Sequence, residues 1–117
     1  MNKYETYLNK LVRLLPYSIE HFCPINSVIT NITNDYVIRP SFTPGTETYI
    51  SNLRTVESQI IYSFTVFVNH DSNTDPCEIC LNIKESLKPL SEIYQFNIIR
   101  NDDSMFNAYT LQIYVND

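Results

Sequence analysis

Apolar positions recur at spacings of three and four over the first fifteen residues, and at spacings of two over much of the remaining chain. Tyr4, Tyr7, Leu8, Leu11, Val12, Leu14 and Leu15 mark one side of a helix expected from about Asn2 to Leu15, with Glu5, Lys10 and Arg13 off that stripe. Pro16 ends it, because proline disfavours helical geometry in the residue before it. Residues 17–26 give a mixed signal, read as a short helical turn ahead of Pro24. Ser27 to Ile32 has the β-branched content of a strand, and Asn31 to Asp35 is a turn cluster. A β-meander then forms around the only glycine. Tyr36 to Pro40 is a short strand, Thr43-Pro44-Gly45-Thr46 a turn, and Glu47 to Asn52 a second short strand. A long alternating strand comes next, with Ile60, Tyr62, Phe64, Val66 and Val68 on one face.

The polar run from Asn69 to Asp75 is a loop that ends in a helix start. Asp75 can cap free amides, and Pro76 suits the first helical position, where no donor is needed. Ile79, Cys80, Ile83, Leu87 and Leu90 succeed it at helical spacing, and Pro89 ends regular helix near Lys88. Tyr94 to Arg100 alternates as a strand, Asn101 to Ser104 is a turn, and Tyr109, Leu111, Ile113 and Val115 share one face of a last strand. The order α-β-β-β-β-α-β-β predicts a single-domain α+β fold over residues 1–117. Its mostly antiparallel sheet has about five to six strands, with an N-terminal helix and one crossover helix packed on one face.

Composition narrows the chemistry. Gly and Ala occur once each, Asn 13 times and Ile 14 times, a skew that reflects AT-rich coding more than function. A phosphate-cradling loop needs several glycines, so glycine-rich nucleotide binding is excluded. The net charge of −5 is uneven: residues 1–56 carry +1 and residues 57–117 carry −6. An acidic half is unsuited to neutralising phosphates, although like charge lets DNA pass nearby without sticking. No stretch reads as a membrane span or signal peptide. The three cysteines, Cys23, Cys77 and Cys80, are therefore expected as free thiols in a reducing compartment, and the sequon Asn31-Ile32-Thr33 as unused.

The sharpest chemical candidate is Cys77-Glu78-Ile79-Cys80 at a helix start, where the helix dipole would lower a thiol pKa, as in a thioredoxin-like dithiol oxidoreductase. Against it, Cys80 falls on the apolar stripe, where cysteine acts as a small hydrophobe, and no X-Pro occurs after Pro89. Zinc would require His21, Cys23 and His70 to join the cysteine pair through the fold, at spacings unlike a finger or ribbon. Asp102-Asp103 reads as a turn exposing carboxylates, and nothing resembles a nucleophile elbow. No catalytic, cofactor or metal residue is therefore assigned.

Val37-Ile38-Arg39-Pro40, then Pro44-Gly45-Thr46-Glu47-Thr48-Tyr49, then a strand entering at Tyr62-Ser63-Phe64, resemble the minor capsid and tail terminator proteins of long-tailed bacteriophages. The N-terminal helix and the closing Ala108 to Val115 fit the same order over about residues 3–116. One departure is Asn52-Leu53, where that family often has Asn-Gly or Asp-Gly. The resemblance implies a non-enzymatic virion protein assembled in the host cytoplasm. It would form a homo-oligomeric ring, of six copies as a rule, which caps the head-proximal end of the tail tube and joins it to the neck. Its partners would be its own copies, the tail tube protein and a neck or head completion protein, with DNA only passing through the lumen and no membrane contact. A head–tail connector or tail completion subunit is the near alternative. Rings need a heterologous interface, and an arm formed by the Thr43–Arg54 hairpin is expected to supply it, with Arg39, Gly45, Glu47 and Arg54 as interface residues.

Overall fold

Asn2 and Asp75 set where the two helices begin. The computed structural model describes residues 2–43, 47–50, 55–103 and 105–116, with only the backbone described for 47–50 and 55–59. Asn2 Oδ1 accepts the Glu5 amide at 2.9 Å and opens helix α1, Lys3–Leu14. Leu15 is already extended, as a residue preceding proline should be. Asp75 Oδ1 accepts the Cys77 amide at 2.9 Å and opens helix α2, Pro76–Leu87. The ambiguous stretch after α1 forms one 3₁₀ turn, Ile19–His21.

Five strands adopt the expected alternation: β1 (Val37–Thr43), β2 (Glu47–Ile50), β3 (Thr55–Val68), β4 (Ile93–Asn101) and β5 (Asn107–Asn116). Four of them make one antiparallel sheet in the order β1-β3-β5-β4, and β2 pairs with the first part of β3 off that path. The sheet is thus slightly smaller than the five to six strands expected, within the α+β class expected. Both helices lie on one face. There Leu8, Leu11 and Leu15 of the first helical segment and Ile79, Cys80, Ile83 and Leu87 of α2 bury against Ile38, Ile60, Tyr62, Phe64, Val66, Leu111, Ile113 and Val115.

Two expectations are corrected. Ser27–Ile32 is not a strand. The amides of Cys23 and Asn26 bond the carbonyls of Ile38 and Pro40 along the outer edge of β1, Asn26 taking a φ of 59° that asparagine tolerates. Beyond that edge the chain crosses the sheet's second face, where no strand is free to ladder with it. Ile29 and Ile32 instead pack over Phe67, Phe106 and Ala108 as a small second core.

The second correction concerns the meander. The turn expected at Thr43–Thr46 falls mostly outside the described residues, but its flanking strands are clear. Thr43 faces Ile61 and Glu47 faces Ser58, both antiparallel to β3, so β1 and β2 run in the same direction. The chain reverses only after Ile50, and the hairpin is β2 with β3.

Candidate interaction surface

β3 is fourteen residues long, and its neighbours do not cover all of it. β5 ends with Asn116 opposite Gln59, and β1 ends with Thr43 opposite Ile61. Beyond that line, among the described residues only β2 accompanies residues 55–58, so the β2–β3 hairpin leaves the sheet as a two-stranded arm. The molecule is correspondingly long, 54 × 28 × 26 Å.

Of the residues assigned to an arm interface, Glu47 begins β2 at the arm's root. Gly45 and Arg54 lie outside the described residues. Arg39 sits in the main sheet, within β1 and eight residues before Glu47 in the chain. Its Nη1 donates to the Ser27 carbonyl at 3.3 Å, and its guanidinium lies 5.0 Å from the centre of the Phe67 ring. These contacts clip the 27–32 segment onto the second face. The structure therefore does not bring Arg39 and Glu47 together.

A groove of about 330 Å³ opens where the arm leaves the body, lined in part by Tyr4, Tyr7, Ile60, Tyr62, Glu92 and Asn116. Tyr7 donates to Glu92 Oε2 at 2.9 Å, and Lys10 Nζ lies 3.9 Å from the same oxygen. Burial, reinforced by the Glu92 carboxylate, pushes the Tyr7 hydroxyl well above its ordinary range. Rings of Tyr4, Phe42, Tyr62 and Tyr7 succeed one another at centroid distances of 5.8, 6.4 and 4.9 Å. The site is aromatic and partly charged.

The two cysteines of α2 differ in their surroundings. Cys80 is fully buried, and its thiol donates to the Tyr109 carbonyl at 3.7 Å. Burial, and secondarily Cys77 and Asp75, pushes its pKa from 9.0 up to about 12, so the expected lowering by the helix start is outweighed there by desolvation. Cys77 is half-buried and free. Cys23, also free, donates to the Ile38 carbonyl at 3.6 Å. His21 stacks on Tyr36 at 4.0 Å with its Nδ1 3.3 Å from the Tyr36 carbonyl. Asp102 is exposed, but Asp103 Oδ1 accepts the amides of Met105 and Phe106. Among the described residues no group of three or more His, Cys, Asp or Glu could hold a metal ion, and no helix is long and apolar enough to cross a membrane.

Sequence reasoning missed the second sheet face and the β4 edge. The face beyond the Ile29–Ile32 cover carries Ser41, Ile61, Ser63, Gln95, Asn97, Ile99, Gln112 and Tyr114, with no charged residue among them. Asn97 donates to Gln112 at 3.2 Å, as does Tyr114 at 3.1 Å, and Tyr94 touches the Tyr114 ring edge-on. The polar members of each alternating strand were the available signal. The chain matches no known family model, no curated protein and no solved structure.

Proposed function

We propose that this chain is a structural virion protein of a long-tailed bacteriophage. In this reading its copies form a ring at the head-proximal end of the tail tube, stop tube growth and join the tube to the neck. The observation that carries the reading is the two-stranded arm leaving a small α+β body. A two-stranded ribbon is marginal in isolation, so an arm of this kind gains most from packing on a neighbour. The element order fits the resemblance to tail terminator proteins. The −6 charge of residues 57–117 fits a lumen through which DNA passes without adhering. A head–tail connector subunit would share all of these features. A dithiol oxidoreductase has less to rest on, because Cys80 is buried and held as a thiol.

The test is particle size. Size-exclusion chromatography with light scattering and negative-stain images should show rings several copies round, and tail tube protein added to them should give tubes capped at one end. A protein that stays monomeric alone and with tube protein would overturn the proposal.

A further inference from the structure

We propose that the outer edge of β4 is the receiving site for the arm of a second copy, giving a head-to-tail contact by strand addition. The inference deepens the ring reading and rests on it.

The two edges of the sheet are treated differently. On β1 the outer side is occupied: Phe22 bridges Ile38, and the Cys23 and Asn26 amides bond the Ile38 and Pro40 carbonyls. Pro40 itself adds no outward donor, and natural edges are closed in these ways. Among the described residues nothing pairs with the outer side of β4, which runs nine residues without proline or lysine.

The ladder fixes which groups are free there. In antiparallel strands successive residues bond to alternate sides. Ile38 and Pro40 bond outward, so Arg39 bonds Thr65. Phe64 and Val66 then bond Leu111 and Tyr109, and Gln112 and Thr110 bond Asn97 and Ile99. The outward amides and carbonyls of β4 are therefore those of Phe96, Ile98 and Arg100. Apolar surface accompanies them: Phe96 and Ile98 are only half-buried, and Tyr94 and Ile99 are 45% and 40% exposed.

The arm supplies the matching half. It is two strands wide where three or more are needed for independent stability. Among the described residues, β3 has no partner on its β5 side beyond Gln59, so the arm's described strands carry unpaired backbone of their own. Its described strands carry two charges, Glu47 and Glu57, both acidic, whereas Arg100 is the single charge on β4. Arm and edge are different patches at different places on the molecule. Their contact is heterologous, and repeats of it close into rings when the rotation allows.

The experiment uses wild type, two full-length variants and one variant with the arm shortened. Ile98→Pro removes an outward donor and no ladder bond, whereas Ile98→Ala loses the same packing and keeps the donor. In the shortened form, residues 47–58 are replaced by an Asn-Gly turn. Light scattering, from micromolar to millimolar protein, should find wild type and Ile98→Ala assembled, and Ile98→Pro and the shortened form monomeric, with cooperative melting retained in all. A one-to-one mixture of Ile98→Pro and the shortened form should give a heterodimer and nothing larger, since it holds one working arm and one working edge. Assembly of Ile98→Pro like wild type, self-association of the shortened form through β4, or no heterodimer in the mixture would each overturn the contact. Arm-dependent assembly that grows into open fibres and never closes would leave this contact standing and remove the ring.

Discussion

Thr110 is the middle member of a chain of three polar side chains. It donates to Asn101 Oδ1 at 2.7 Å, and its oxygen lies 2.9 Å from the Thr65 hydroxyl. Since Thr110 gives its proton to Asn101, Thr65 must donate to Thr110. Thr110→Val therefore strands the Thr65 hydroxyl and one Asn101 acceptor, and should cost about 1–3 kcal/mol in urea denaturation. Adding Thr65→Val should recover part of that loss, so the two changes are not additive. Equal losses that simply sum would show that the hydroxyls do not interact. The cysteines give a second test at this scale. Cys80 ionises from 9.0 in the unfolded chain but only near 12 in the fold. Below pH 9 the folded state is unpenalised, and as pH rises from 9 towards 12 the unfolded chain sheds a proton the native one keeps. Stability should fall by up to about 1.4 kcal/mol per pH unit from this group. The loss should shrink in Cys80→Ala when urea midpoints are followed with pH. Cys80→Ser should cost on the order of 1–2 kcal/mol at neutral pH, and Cys77→Ser close to nothing. A reversible Cys77–Cys80 disulfide would contradict both.

Elements with a strong period were legible, and those that depend on tertiary competition were not. Leu8 and Leu11 of the first stripe and Ile79, Cys80, Ile83 and Leu87 of the second are buried on one side of their helices, Leu14 being exposed instead, and Asn2, Asp75 and Pro76 mark the starts. In β3, Ile60, Tyr62, Phe64, Val66 and Val68 share the buried face read from the sequence, while Thr65 and Phe67 on the opposite face are buried as well. Ser27–Ile32 failed because β-branched composition says only that a segment suits a half-buried surface. Ile29 and Ile32 found that surface by lying across a sheet. Pro44-Gly45 misled because the pair is a common mark of reversal, whereas β1 and β2 run on in the same direction. Of the expected interface residues, Glu47 lies in β2. Arg39 lies outside the arm, and its contacts with Ser27 and Phe67, residues 12 and 28 positions away in the chain, were not legible in sequence. The crossing segment can be tested as an element. Ile32→Ala should cost about 2 kcal/mol or more by opening the small core around Phe67 and Phe106. It should also speed amide exchange at Ile29 and Phe106 ahead of the β3 and β5 amides. Uniform acceleration across the sheet would mean that this segment is not a separate unit.

At the scale of the whole molecule, burial is uneven along the 54 Å length. The body holds two helices on a four-stranded sheet, while among the described residues the segments 47–50 and 55–58 have only each other for ladder bonding. Stability and assembly should then be linked by mass action: whatever binds the folded state raises its melting temperature, and does so more at higher concentration. Melting of the wild-type chain should rise as protein concentration increases through the range where light scattering shows association. Ile98→Pro and the form shortened at 47–58 should melt at temperatures independent of concentration, because neither can propagate the contact. The melting temperature of Ile98→Pro should match that of Ile98→Ala at its most dilute, where every copy is free and both have lost the same packing on the core. Wild-type melting that does not move across the association range would show that assembly adds nothing to the fold, and that the arm is stable without a neighbour to receive it.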